Sequence, residues 1–409
     1  MKVHLDNIRQ AAIDLAKTSE KKRNAFLGAL AKELRTRKKD LLAANQKDVA
    51  DAQRNELPEA FVQRLVVDAH GLETLNKKLR DVQKLKSGLG EIIEHKKDRT
   101  GLVLDKVRTP LGVILIIYES RPEVTIDVAA LCIKSGNVAI LKGGSEAKHS
   151  NQALYHCIQN ALKKSGFAKD TVSYVQDRSA VSKLLKQHTH IDLVIARGGY
   201  SLVKAVLSDS TIPVLAHAAG GARIYIDQSA DLKMAEKILV NAKISKPAAC
   251  NSLDTIVVHK KIASRFIPRI TDMLRARGVR VLGDALSRKF SAVGTMTEKD
   301  WDTEFLGPTV GIKVVSDVAE AITFINHHSK RHSEGIVASN KKIIRQFTDS
   351  VDAAAIFVNA STRLHDGYVF GLGSEMGIAA GKLHARGPVG LKELTTYKWQ
   401  IYGKGHIRA

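Results

Sequence analysis

Three cysteines in 409 residues, Cys132, Cys157 and Cys250, are too few and too widely spaced for a disulfide framework. No two stand at metal-ligand spacing, so no metal site is read from them. Prolines number 8, and no linker rich in Pro, Gly or Ser divides the chain. Aromatic residues make up only 5%, which leaves Ala, Val, Ile and Leu to build the core. No apolar stretch approaches the roughly 18 residues that a membrane span needs. The N-terminus, MKVHLDNIRQAAIDLAK, is amphipathic and lacks an apolar run ahead of a cleavage site, so it is not read as a secretory signal. These absences exclude a disulfide scaffold, a zinc module and a membrane protein, and the chain reads as soluble and cytoplasmic.

What is abundant is positive charge: 64 Lys and Arg against 42 Asp and Glu give a formal +22. Clustered basic residues would point to nucleic acid through counterion release. Here they are spread along the chain, with short clusters such as RTRKK at 35–39 and no nucleic-acid motif around them. That argues against nucleic acid as the main partner and suits steering of anionic ligands. With 44% hydrophobic residues, the chain is long enough for two or three lobes.

Residues 1–90 read as helices. Apolar positions recur at steps of three and four in IRQAAIDLAK and NAFLGALAKEL, and Asp40 is expected to cap DLLAANQKDVADAQ. From 89 to 112 the period changes. GLVLDKVRT alternates as a half-buried strand does, which predicts a hairpin reaching out of the body. GVILIIYESRP is then the first of a series of short apolar strands alternating with helices (strand NVAILKGG, helix 148–165, strand TVSYVQ, helix 180–188, strand IDLVIARGG, helix YSLVKAVLSD, strand PVLAHA). Such alternation gives a doubly wound parallel sheet with ligands beyond the carboxyl ends of its strands. The pattern restarts at RIYIDQSADLKMAEKILVNAK and runs as a second α/β series to about 385, and TTYKWQIYGKGHIRA reads as a late strand.

Within SKPAACNSLDT, residues 245–255, Cys250 is either a nucleophile or a small core residue, and the stretch alone does not decide. Cys132 and Cys157 lie on helical patterns and read as core. The order of the pieces says more. A strand ending LKGGSEA, a strand ending ARGG, a turn at AHAAGGARIYID, a cysteine about 30 residues later and EFLGP about 50 beyond it form a succession that resembles the aldehyde dehydrogenase superfamily. Within it, IIYESRPEVTIDVAALCIKSGNVAILKGGSEAKHSN, FVNASTRLHDGYVFGLGSEMGIA and KLHARGPVGLKELTTYKW resemble the γ-glutamyl phosphate reductase (glutamate-5-semialdehyde dehydrogenase) branch.

The resemblance implies two α/β lobes with parallel-rich sheets plus an oligomerisation hairpin. It implies an NADP-binding domain over 1–223, with the hairpin at about 89–112, a catalytic domain over 224–385, and a C-terminal return and oligomerisation tail over 386–409. The implied activity is NADPH-dependent reduction of L-glutamyl 5-phosphate to L-glutamate 5-semialdehyde plus phosphate, the second step of proline biosynthesis. A homodimer or homotetramer is implied, and a transient contact with the preceding glutamate kinase is left open. Two other readings stay beside it: a different aldehyde or acyl phosphate on the same scaffold, and a basic nucleic-acid-associated protein that kept the scaffold.

In the resemblance, Cys250 takes the nucleophile position and carries a thioester. The Cys250 N–H would hold the oxyanion, together with Asn251 or Ser120. The alternative for Asn251 is a turn-stabilising asparagine. Hydrolytic members place a glutamate base where this chain has Ala218 or Ala219, so phosphate rather than water is the expected second nucleophile. Many members of the branch have a cysteine and a histidine where Ala222 and Arg223 stand. For the cofactor, Lys142 is implied at the adenosine ribose and 2′-phosphate. Gly143, Gly144 and Ser145 allow close backbone approach and offer a hydroxyl. Arg197, Gly198 and Gly199 open a helix near the pyrophosphate, and Glu304 binds the nicotinamide ribose. For the substrate, Arg121, Arg363 and Arg386 are candidates for its carboxylate and phosphate, and Asn359, Ser361 and Thr362 for its amino-acid head. His332 reads first as a structural histidine.

Overall fold

The computed structural model describes residues 4–216 and 219–408. The chain forms two compact units, one of Met1–Ala216, Gly371–Gly377 and Pro388–Ala409, the other of His217–Phe370 and Ile378–Gly387.

The first unit opens with helices α1 (Leu5–Ala16), α2 (Glu20–Thr36), α3 (Lys38–Arg54), α4 (Glu59–Leu65) and α5 (Ala69–Lys84). Their periodic apolar residues face inward, as Phe26, Leu27, Leu30 and Leu34 do in α2. Ser19 and Asp68 cap α2 and α5 through side-chain oxygens. Asp40 does not cap α3. That helix starts at Lys38, so the carboxylate stands in its first turn and favours the positive end of the helix dipole instead.

The change of period produces the hairpin of β1 (Ile92–Lys97) and β2 (Val103–Pro110). The C-terminal strand, Thr395–Tyr402, pairs antiparallel with the other side of β2, Thr395 opposite Pro110 and Tyr402 opposite Val103. This three-stranded sheet keeps Ile92, Tyr397, Trp399 and Ile401 exposed.

The rest of the unit is a parallel sheet of β3 (Val113–Tyr118), β4 (Val138–Lys142), β5 (Val172–Tyr174), β6 (Leu193–Arg197) and β7 (Val214–Ala216), in the order β5-β4-β3-β6-β7. Helices α6 (Val124–Lys134), α7 (Lys148–Lys164), α8 (Arg178–Leu184) and α9 (Tyr200–Asp209) make the crossovers. All six residues of β3 are buried, as its unbroken apolar run requires of a central strand. Helix α8 starts earlier than the expected 180–188 because Asp177 accepts the Ser179 N–H and sets its first turn. Strand order reverses between β3 and β6, so the loops after them flank a topological switch point, the usual ligand position in such sheets.

The second unit contains β8 (Ala222–Ile226), α10 (Leu232–Ile244), β9 (Leu253–His259), α11 (Lys260–Arg275), β10 (Arg280–Gly283), β11 (Gly294–Thr295), β12 (Thr309–Val315), α12 (Val318–His328), β13 (Ser333–Val337), α13 (Lys341–Ser350) and β14 (Ala355–Val358). Its parallel sheet has the order β11-β10-β12-β9-β8-β13-β14. On one face Ile262, Phe266, Ile267 and Ile270 of α11 pack with Ile224, Ile256 and Val258. On the other, Ile325 of α12 and Phe347 of α13 pack with Tyr225 and Val257.

Candidate active site

Cys250 stands in a tight turn between α10 and β9, where Ala249 N–H donates to Lys246 O (3.0 Å) and Ser252 N–H to Ala249 O (2.9 Å). It is half-buried, whereas Cys132 and Cys157 are buried on α6 and α7. The turn sits at the amino-terminal ends of β8 and β9, not beyond carboxyl ends as the sheet rule suggests, because α10 delivers it there just before β9 begins. Gly221 N–H donates to Cys250 O at 2.7 Å. A Cβ on Gly220 would lie 2.3 Å from Cys250 O, 2.6 Å from Cys250 Cα and 2.6 Å from Glu304 Oε1. Only glycine therefore lets the cysteine turn and the Glu304 carboxylate share one stretch of backbone.

Asn251 is buried, and its side chain is used at both ends. Its Nδ2 donates to His365 O (2.9 Å), and its Oδ1 accepts from Arg363 Nη1. Thr362 Oγ1 donates to Asn251 O at 2.8 Å, and Arg363 Nε to Ser245 Oγ at 3.2 Å. The 359–365 stretch thus folds back over the cysteine turn. Asn359, at φ +54°, makes the reversal possible; its side chain bonds both Ala338 N–H (3.0 Å) and Ala338 O (2.9 Å). Ser361 Oγ accepts the Arg363 N–H. Burial lowers the Arg363 pKa, while the charges of Cys250 and Asp366 pull it back up, so thiolate and guanidinium support one another.

Arg386 Nη1 donates to Asp352 at 2.7 Å, and Lys382 and Arg331 also pair with that carboxylate, while Arg386 Nε and Nη2 are buried without a hydrogen-bond partner among the described residues. His332 is buried, its Nδ1 2.7 Å from Ser333 Oγ, which lies 2.8 Å from His365 Nδ1. Ala219 is half-buried, and Ala218 lies outside the described residues.

In the first unit the cofactor candidates gather at the carboxyl ends of β3, β4 and β6. Half-buried Lys142 ends β4, and its Nζ reaches Gly143 O at 2.6 Å. A Cβ on Gly143 would meet Asn151 Nδ2 at 2.2 Å, and one on Gly144 would meet Glu146 Oε1 at 2.1 Å. Ser145, exposed, opens the short helical turn that follows. Ser120, at φ +45°, donates through N–H (2.6 Å) and Oγ (2.9 Å) to Glu146 Oε1, so that hydroxyl is already committed. Arg121 is half-buried beside Glu123, whose carboxyl burial pushes up and Arg121 draws down.

Arg197 ends β6 with its Nη1 buried and without a hydrogen-bond partner among the described residues. A Cβ on Gly198 would meet Glu119 Oε2 at 2.5 Å, and the same oxygen accepts Gly199 N–H at 2.7 Å. A carboxylate thus already occupies the amino end of α9, which marks that end as a seat for anions. An orphaned guanidinium nitrogen, an ammonium and glycines too crowded for a side chain fit a nucleotide phosphate. No set of three His, Cys, Asp or Glu among the described residues is arranged for a metal ion, and no helix there is long and apolar enough to cross a membrane.

The sequence pattern of the aldehyde dehydrogenase family matches residues 4–300. The chain is 43% identical over 403 residues to a γ-glutamyl phosphate reductase of Carboxydothermus hydrogenoformans, covering 98% of this chain and 97% of that protein. It is 42% identical to one of Clostridium beijerinckii, covering 98% of each. The chain belongs to the aldehyde dehydrogenase family.

The crystal structure of the Thermotoga maritima γ-glutamyl phosphate reductase superposes with a TM-score of 0.96 at 40% identity, over 99% of both chains. An acetylating aldehyde dehydrogenase of Geobacillus thermoglucosidasius shares the fold at a TM-score of 0.71 and 18% identity, over 99% and 96%. Family membership brings with it a nicotinamide cofactor and oxidoreductase chemistry. Sequence reasoning missed Glu119, Glu146 and Gly220, and the buried charges Lys243, Asp254 and Glu334, and it noted Arg223 only as a departure from the branch pattern. The available signal was charge: Arg223, Asp254 and Glu334 each stand in a strand that is buried along its whole length.

Proposed function

We propose that the chain reduces L-glutamyl 5-phosphate to L-glutamate 5-semialdehyde with NADPH, the second step of proline biosynthesis, as a cytoplasmic homo-oligomer. The observation that carries this reading is the cluster of half-buried Cys250, Asn251 and Arg363. It sets a guanidinium beside a thiol in a turn that leaves space only for glycine at 220.

The Cys250 thiolate attacks the acyl phosphate carbonyl. A C–S bond forms, the C–O bond to phosphate breaks, and phosphate departs with the electron pair. The Cys250 N–H steadies the transient oxyanion. Asn251 braces the turn through both ends of its side chain, and Arg363 favours the thiolate and draws in the anionic substrate. When bound, NADPH supplies the hydride that takes the thioester to the aldehyde level. Alanine, not glutamate, at both 218 and 219 leaves the thioester without a carboxylate base for water at that place.

Lys142, Gly143, Gly144, Ser145, Arg197, Gly198, Gly199 and Glu304 are the cofactor contacts of this reading. Lys142 favours the 2′-phosphate, and Asp177, within its electrostatic reach, works against it. The exposed three-stranded sheet is the surface between subunits.

The test is NADP⁺ reduction with glutamate 5-semialdehyde, with and without phosphate, in wild type and Cys250→Ser. Activity that requires phosphate and is lost in the variant is expected. Activity without phosphate would overturn the argument from Ala219, and none at all would overturn the substrate.

A further inference from the structure

The segment bearing Glu304 has no strand or helix of its own between the short helical turn that ends at Asp302 and β12. Leu306 within it is left-handed at φ +50°. Such a loop should be loose, yet buried cations hold a backbone carbonyl just before it and another within it. Arg223 Nη2 donates to Trp301 O at 3.0 Å. Lys243 Nζ donates to Gly307 O at 3.0 Å. Between them, the Asp254 carboxylate lies within electrostatic reach of the Phe305 N–H.

The three groups come from β8, α10 and β9, and each has its counter-charge. Lys243 Nζ lies 3.3 Å from Asp254 Oδ1, with both side chains sealed from solvent. Arg223 Nη1 lies 3.6 Å from Glu334 Oε1 on β13. Glu334 also accepts the Arg223 N–H (2.8 Å) and the Ser329 hydroxyl (2.6 Å). The network also touches the nucleophile's turn. A Cβ on Gly221, whose N–H bonds Cys250 O, would meet Asp254 Oδ2 at 2.2 Å. Sealing four charges between strands is a poor way to gain stability, since well-packed apolar residues commonly do as well or better. A geometric duty accounts for them.

We propose that Arg223, Lys243 and Asp254 are positioning residues that hold segment 301–307 so that the Glu304 carboxylate stays beside Gly220 and the Cys250 turn, with Glu334 fixing Arg223. The proposal rests on the reading of Glu304 as a cofactor contact. The network acts at the hydride step through Glu304, while the Cys250 turn keeps its own main-chain bonds to Gly221 and within 246–252 for the attack.

Two charge-balanced variants test it, Arg223→Met/Glu334→Gln and Lys243→Met/Asp254→Asn. In the cofactor-free protein, amides of 303–307 should exchange with deuterium about tenfold faster, with β9 and β13 amides unchanged. The rate of Cys250 alkylation should stay within about twofold of wild type. The KM for NADPH should rise about fivefold or more, and combination with Glu304→Gln should add little. Should either pair fail to fold, Arg223→Lys, which keeps the charge but loses the planar fork, should show the same local exchange in smaller measure. Unchanged exchange at 303–307 in folded variants, or losses that multiply with Glu304→Gln, would overturn the proposal. Faster local exchange together with a fully active Glu304→Gln would support the fastening and instead remove Glu304 from the cofactor site.

Discussion

Three cysteines of one chain differ here only in surroundings. Burial pushes the Cys157 thiol up to about 11 and the Cys132 thiol higher still, so both remain neutral thiols near neutral pH. Cys250 is half-buried and lies within electrostatic reach of the Arg363 guanidinium. Iodoacetamide at pH 7.5, read by peptide mass spectrometry, should therefore label Cys250 and leave the other two intact. Arg363→Met should slow that labelling by about tenfold, because the thiolate loses its cation. Arg363→Lys separates two duties. It should keep most of the labelling rate yet lose about a hundredfold in kcat/KM with glutamate 5-semialdehyde and phosphate, since a lysine cannot make the two-pronged contact. Equal losses in both measurements would mean that Arg363 acts on the thiol alone.

At the scale of elements, β13 carries a carboxylate where an apolar strand should have none. Burial raises Glu334 to about 7 against the pull of Arg223 and the Ser329 hydroxyl. The folded state therefore binds a proton more tightly than the unfolded chain does. The resulting stability is fully present below about pH 4.5 and is lost as pH climbs through about 7. Chemical denaturation across pH 5 to 7.5 should show this decline, on the order of 1–2 kcal/mol, and Glu334→Gln should flatten it. A slope unchanged by the substitution would place the titration elsewhere.

Elements such as these were only partly legible in the sequence. The alternation of strands and helices, the hairpin and the burial of Cys132 and Cys157 follow from periodicity, which reports how each stretch meets a core. The start of α3 escaped because helix ends are decided by a turn or less of chain, and Lys38 and Lys39 carry no capping signal. At the site, the Cys250 stretch by itself reads two ways, and only the order of distant motifs favoured one. Thr362, Arg363 and Asn251 meet because Asn359 reverses the chain, a long-range event that no local window contains. The cations that hold Trp301 O and Gly307 O were invisible for the same reason.

For the whole molecule, the charge of +22 is a property of surface and approach, not of chemistry. An anionic substrate should feel it from a distance, so raising ionic strength from 0.02 to 0.3 M should raise the KM for the phosphate-bearing substrate about threefold, with kcat little changed. Oligomerisation is testable on the small sheet. Trp399→Glu with Ile401→Glu places charge on exposed apolar positions of the C-terminal strand. Size-exclusion chromatography with light scattering should then show a shift from dimer or larger to monomer, and a wild-type monomer would end the idea.

That sheet also imposes an order of birth. Val103 on β2 waits for Tyr402, which is 299 positions further along the chain. At about 5–20 residues per second of synthesis, β2 stays one neighbour short for roughly 15–60 s. The second unit is enclosed within the first along the chain, so it can finish folding on the ribosome while the first is still open. Loss of the strand Thr395–Tyr402 would thus harm the part of the protein made first.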